Sequence, residues 1–294
     1  MMKLLKLKPS VGLLSIPYSI IFIFFFFIPL ILTFIISFWD YNEYSIIPDF
    51  IFENYSYIFK DCLNFEKDMC VTFKTYLSTF IFCFITWFFT LIIGFFVAYF
   101  LAFYVNSITW QIVLFLLCTI PFWTSNVIRM ISWIPLLGRN GLVNDFLLST
   151  GLVDAPQEWL LYSGFSIVLA FVHLYTLFMI VPIFNSMMRI DKSIIEAAYD
   201  NGANGLQILW NVIIPLCKPG IVIGSIFVIT VVMGDFITIG IMGGQQIPSI
   251  GKIIYVEMSY LQLPAAAANA VILLALTLLI IWIMTKMIDI RKEL

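Results

Sequence analysis

Charge is what this sequence has least of: 11% of its 294 residues are Asp, Glu, Lys or Arg, against about 25% in an ordinary soluble domain. Histidine is rarer still, with His173 alone, and the five cysteines (Cys62, Cys70, Cys83, Cys118, Cys217) show no zinc-ligand spacing. Metal catalysis therefore has no ligand set. Nowhere does a glycine-rich loop end in Lys-Ser or Lys-Thr, the element that cradles nucleotide phosphates. The chain has no means of hydrolysing ATP itself and calls for no cofactor of its own. A basic patch and a compact polar segment are also missing, which argues against nucleic-acid binding.

What is present is apolar: 62% hydrophobic residues, 30 of them Phe, with a mean hydropathy of +1.06. This is the composition of an integral membrane protein, read as one membrane domain over 1–294. The formal net charge of −2 says nothing about partners. Apolar runs lie at about 11–38, 77–104, 108–137, 163–187, 216–240 and 263–286, each long enough for the ~20 residues that cross a bilayer core. The fold expected is an all-α integral membrane protein with six transmembrane helices, since an open sheet would leave unpaired backbone groups in lipid. The first run follows Lys3, Lys6 and Lys8 as in a signal peptide. It is longer than the about 7–15 residues of a signal h-region, and no small-residue cleavage site follows. We expect a retained span, bent at Pro17 and Pro29. Gly94, Ala98 and Ala102, spaced four apart, and Ala265 to Ala268 are small-residue faces suited to close helix packing. No inverted repeat is visible, which argues against a self-sufficient secondary transporter.

Basic residues set an orientation. With the amino terminus inside, the inner segments hold nine (Lys3, Lys6, Lys8, Arg189, Lys192, Lys218, Lys286, Arg291, Lys292). The outer loops hold five (Lys60, Lys67, Lys74, Arg139, Lys252), and Arg129 lies within the third run. This bias follows the positive-inside rule and puts both termini in the cytoplasm.

Between the fourth and fifth runs lies a polar island, 189–215, RIDKSIIEAAYDNGANGLQILWNVIIP. It reads as two short helices joined at a glycine: Asp191 can cap the first, and Gly202 suits a left-handed turn. Asn204 and Gln207 have the spacing of a capping box for the second. Ala197 and Ala198 keep the first helix thin, and Glu196 offers an acceptor at its edge. Glu-Ala-Ala, then Gly202, then Val212-Ile213-Ile214-Pro215 resembles the coupling loop of permease subunits in binding-protein-dependent ABC importers. The resemblance implies the type I (MetI-like) architecture and a loop inserted into a groove of a separate ATPase subunit. The ATPase-coupling residues it implies are Glu196, Ala197, Ala198 and Gly202.

The third run is similar to the spermidine/putrescine branch of that family at Pro121, Phe122, Trp123, Thr124, Ser125, Arg129, Trp133, Gly138, Gly141, Asn144 and Gly151. Pro121 should break the helix. Arg129 is costly in lipid and reads as a gate, a salt-bridge partner for Asp235 or Asp145, or a snorkelling side chain. Trp123 and Trp133 can stack on a cation or belong to an interfacial belt. In the fourth run, Leu161-Tyr162, Phe178-Met179 and Pro182 follow the pattern, but Leu177 replaces a proline, leaving the usual bend in question. The fifth carries Gly234-Asp235-Phe236 and Gly243-Gly244 in the family's register, with Ile239 and Gly240 departing from it. Asp235 beside Phe236 is a candidate to attract an ammonium group along the path, alternatively a cap or a partner for Arg129. With Trp123 and Arg129 they make up the candidate substrate path. Glu257 offers a second carboxylate in the last outer loop, and His173 reads as a packed helix residue.

The first outer loop, about 39–76, carries Asp40, Glu43, Asp49, Glu53, Asp61, Glu66 and Asp68, either a binding-protein surface or simply a solvated loop. Its Asn54-Tyr55 pair resembles the family's stretch before the second span. Cys62 and Cys70 share this loop and are either bridged or free. The partners implied are a second permease, two ATP-binding subunits carrying ATP and Mg, an extracytoplasmic solute-binding protein, a small-molecule solute and the bacterial inner membrane. Import of another solute, such as an opine, thiamine or ferric ion, and an ATP-independent channel or structural membrane protein remain as alternatives.

Overall fold

A computed structural model describes residues 11–42, 45–60, 62 and 70–286. Lys3, Lys6, Lys8, Glu43, Asp61, Glu66, Lys67, Asp68, Arg291 and Lys292 lie outside the described residues. Among the described residues, five helices are long and apolar enough to cross a bilayer, and a helix pair broken by 88°, 108–123 with 126–149, makes a sixth when taken as one span. Among the described residues, the fold is all-α apart from one two-stranded hairpin.

The first span joins α1 (Val11–Phe22) to α2 (Ile28–Ile36) through a π-helical turn, Ile23–Phe27. Pro29 lies at the start of α2, where its missing N–H and fixed φ interrupt a regular ladder and the wider turn takes up the misfit. None of the side chains from Ile16 to Ile36 is buried, as befits a helix facing lipid. Its carboxyl-terminal end is stapled by α3 (Glu53–Ile58): Asn54 Nδ2 donates to the carbonyls of Ser37 (3.0 Å) and Trp39 (2.8 Å), and Tyr55 Oη bonds Ser37 Oγ at 2.7 Å. The hairpin, β1 (Asp40–Tyr41) with β2 (Ile46–Ile47), lies between them.

The second span begins six residues earlier than expected. Cys70 Sγ accepts from Phe73 N at 3.3 Å and opens α4 (Val71–Tyr99), which runs on through a π turn, Phe100–Tyr104. Lys74 and three threonine or tyrosine residues depress the hydropathy of that first stretch without weakening its helix. Cys70 is disulfide-bonded to Cys62. After the tight turn 105–107, the third span is not one helix. α5 (Ile108–Thr119) passes into a 3₁₀ turn, Ile120–Trp123, holding Pro121, and the chain restarts at α6 (Asn126–Leu137) and α7 (Leu142–Ser149).

The fourth span, α8 (Gly164–Met187), is uninterrupted at Leu177 and carries Pro182 inside it. The loop helix α9 (Lys192–Asp200) and one turn, α10 (Gly205–Ile208), lead through a π turn, Leu209–Ile213, into α11 (Ile214–Gly234). The fifth span therefore ends at Gly234 rather than 240, and α12 (Ile237–Met242) is a separate helix. Then come α13 (Ile250–Ser259) and α14 (Leu263–Lys286), the sixth span, whose buried end is Pro264 to Asn269.

The core is the contact of α4, α8 and α11. Met179 of α8 is fully buried between two glycines. A Cβ at Gly94 would lie 2.8 Å from Met179 Cγ, and one at Gly224 2.8 Å from its Sδ. With no hydrophobic gain between helices in lipid, such close approach supplies the cohesion. Two polar bonds between α4 and α11 add to it: Trp87 Nε1 donates to Ser225 Oγ at 2.8 Å, and Cys83 Sγ donates to the Ile229 carbonyl at 3.8 Å.

Candidate functional site

The 189–215 loop has the caps its sequence implied. Asp191 accepts from Ser193 N at 3.0 Å, and hydrogen bonding to Ser193 holds its carboxyl below the usual range. At the other end of α9, Gly202 adopts φ +82°, with Gly202 N on Tyr199 O (2.8 Å) and Ala203 N on Ala198 O (3.1 Å). Only glycine takes that conformation without strain. Asn204 and Gln207 exchange backbone-to-side-chain bonds of 2.8 Å each, a complete capping box. The second helix differs from expectation: it is not a separate short helix but the first turn of a continuous helix from Gly205 to Gly234. Glu196 and Ala197 are exposed, as are Ile194, Tyr199, Leu206 and Trp210, while Ala198 is half-buried against the core. The loop thus combines rigid capping with an unburied apolar surface.

The second locus is the Asp235 break. Asp235 Oδ1 accepts from Thr238 N (2.9 Å) and Oδ2 from Thr238 Oγ1 (2.6 Å), the geometry of a helix cap for α12. Tyr175 Oη of α8 also donates to Oδ2. Neither ion pair expected for Arg129 forms. Its guanidinium donates to Asn126 Oδ1, its Nε has no hydrogen-bond partner, and the side chain is buried rather than snorkelling. The reason is local: three donors already occupy Asp235, and Asp145 is exposed on α7. Among the described residues the ion pair is Arg139 with Glu158, at 3.5 Å on the surface.

The other expected residues scatter. Trp123 is 83% exposed at the corner of the broken third span. Phe236 stacks on Tyr255 (centroids 4.7 Å, 14°). Trp133 Nε1 donates to His173 Nδ1 at 3.1 Å. Glu257 accepts from the buried Asn269 at 2.9 and 3.0 Å; burial pushes its carboxyl up, an effect the Asn269 bond opposes. Tyr175 and Thr238 were missed. Thr238, three residues after an Asp, carried a capping signal; Tyr175, inside an apolar run, carried none.

The spermidine/putrescine transport system permease protein PotB of Escherichia coli K12 is 34% identical over 187 residues, covering 62% of this chain and 67% of PotB. The chain belongs to the ABC-importer permease family. A second permease of that bacterium, the inner membrane ABC transporter permease protein YdcU, is 31% identical over 173 residues, 54% of this chain and 55% of YdcU. A bacterial ABC transporter that imports the acidic polysaccharide alginate has the same fold, with a TM-score of 0.71 over 93% of each chain at 17% identity. No protein-family model matches the chain. The permease is accordingly a transport subunit rather than an enzyme.

Proposed function

We propose that this permease forms half of a pathway importing a small organic cation of the polyamine class across a bacterial inner membrane. The observation that carries the reading is the 34% identity to PotB, a spermidine/putrescine permease by name. Both termini then lie in the cytoplasm with the 189–215 loop. Capped at Asp191 and Asn204 and turned at Gly202, that loop seats in one of two ATP-binding subunits through Glu196, Ala197 and Ala198. A second permease completes the path, and an extracytoplasmic binding protein delivers the solute; the alginate transporter is found in complex with an alginate-bound periplasmic protein. ATP-driven closure of the ATPases moves the loop and rocks the spans to alternate access.

Within the path, Asp235 is half-buried with three donors on a carboxylate that has about four acceptor sites. It serves the break first and keeps one site for an ammonium group. Trp123 and Phe236 supply aromatic faces, and buried Arg129 sets the local charge. Uptake of labelled putrescine and spermidine in a strain lacking this gene tests the reading. Loss of either uptake supports it. Undiminished polyamine uptake, with loss of an opine, thiamine or ferric ion, replaces the solute; no ATPase on co-purification replaces the mechanism.

A further inference from the structure

On the coupling-loop side of the Asp235 break, α8 and α11, in close contact at Gly220, flank a half-open groove of about 710 Å³ that Thr285 of α14 also lines. Its floor is Arg189, Ile190 and Ile194, the beginning of the coupling loop, and its roof is Ile226 and Phe227. Pro182 of α8 and Pro219 of α11 are on the walls. Each removes a ladder hydrogen bond from its helix, leaving a place where that helix bends easily.

Four rings fill the space above the roof. Phe227 stacks on Phe178 (6.1 Å, 26°), and Phe178 takes Phe122 edge-on (5.1 Å, 83°). The Tyr175 ring lies 6.1 Å from Phe178, and its hydroxyl bonds Asp235. The rings come from α8, from α11 and from the 3₁₀ turn where the third span breaks. They therefore stand between the Asp235 carboxylate and the cavity. Arg189, at the floor, is the one charged residue of the cavity lining.

We propose that Phe178 and Phe227, braced by Phe122, are the inner gate of this chain's half of the pathway, and that an alkylammonium solute passes it over the ring faces. The proposal rests on the reading of the permease as an importer of such cations. Stacked, the rings form an apolar constriction that excludes water and hydrated ions. Parted, they offer π faces to an ammonium group that has shed its water, while the apolar walls below accept its methylenes. The cavity holds no carboxylate to retain the cation. The floor residues Ile190 and Ile194 belong to the loop that an ATPase moves, so a shift there acts on both proline-bent walls.

The test uses the assembled transporter in proteoliposomes. Ile223→Cys places a thiol on the cavity wall and Thr230→Cys places one on an exposed position a turn beyond Phe227. A membrane-impermeant maleimide added from the coupling-loop side, with wild-type labelling subtracted, should label the first about tenfold faster than the second. Phe178→Ala or Phe227→Ala in the Thr230→Cys background should abolish that difference; Phe178→Leu serves if the alanine variant does not assemble. Equal labelling with the rings intact overturns the gate. In the same vesicles, Phe227→Leu should lower labelled putrescine uptake per ATP hydrolysed about tenfold, with binding-protein-stimulated ATPase retained, and Phe227→Trp should restore it. A wild-type ratio in Phe227→Leu overturns the ammonium passage. Absence of putrescine uptake by the wild type overturns that passage and the solute reading together, while the labelling still decides the gate.

Discussion

Tyr175 in the fourth span donates its hydroxyl hydrogen to the carboxylate of Asp235, 60 residues further along the chain at the break in the fifth. The bond ties the two most buried spans at the point where one of them stops being helical. Tyr175→Phe removes the donor and leaves both Thr238 bonds in place. It should destabilise the detergent-solubilised protein by about 1–2 kcal/mol, read as a lower Tm. Asp235→Asn keeps an acceptor for Thr238 N but removes the charge, and should cut polyamine uptake in the assembled transporter about tenfold. Unchanged uptake and unchanged selectivity for cations in that variant would remove Asp235 from the path.

At Gly202 the cost of substitution is separable from packing. Its φ is +82° and a Cβ there would meet nothing within 4 Å. Gly202→Ala should therefore cost only the left-handed backbone term, about 1–2 kcal/mol. Asp191→Ala, which deletes the cap on α9, should cost about 1 kcal/mol. Both changes loosen the loop without touching a span, so co-purification of the ATPase should fall, with a Tm decrease in the isolated permease no larger than those costs imply.

The Cys62–Cys70 bridge closes a short loop, with a sequence separation of 8, and it lies at the head of α4. Loop-closure entropy puts its contribution at about 2–3 kcal/mol. Mass spectrometry without reductant should find the bridged peptides, and Cys62→Ser should lower the Tm. Quantitative alkylation of both thiols in the untreated protein would contradict the pairing.

Glu257 carries a pH signature. Burial raises its carboxyl above the usual range, so the folded state holds the proton to higher pH than the unfolded chain, whose Glu titrates near 4.3. Stability from this group is present below about pH 4.3 and is lost as pH rises towards the raised folded value, after which it is constant. Glu257→Gln should flatten the Tm-against-pH curve across that window and keep the Asn269 contact. A slope equal to that of the wild type would show that other groups set it.

Features encoded within a few residues were legible in the sequence; those that needed distant partners were not. The caps at Asp191 and Asn204 and the turn at Gly202 depend on side chains within four positions, so their spacing was enough. The ends of the spans were read less well. Ile237 to Met242 are as apolar as the helix before them, and hydropathy cannot register that the backbone breaks at Asp235. Polar residues at the start of α4 had the opposite effect and hid one and a half turns of helix. Arg129 could not be placed from sequence because its surroundings depend on Asn126 beside it and on Tyr175 having already claimed Asp235. Two cysteines in one loop carried no framework from which to infer their pairing.

The helix that leaves the coupling loop at Gly205 does not end until Gly234, 30 residues later, a rod about 45 Å long. Its near end lies beside Gly202 and its far end at the Asp235 cap. A tilt of about 5° at the near end would swing the far end through about 4 Å, given that length. That is longer than any hydrogen bond holding Asp235. A small rotation of the 189–215 loop would thus be amplified into a displacement at Asp235 wherever the bend at Pro219 does not absorb it.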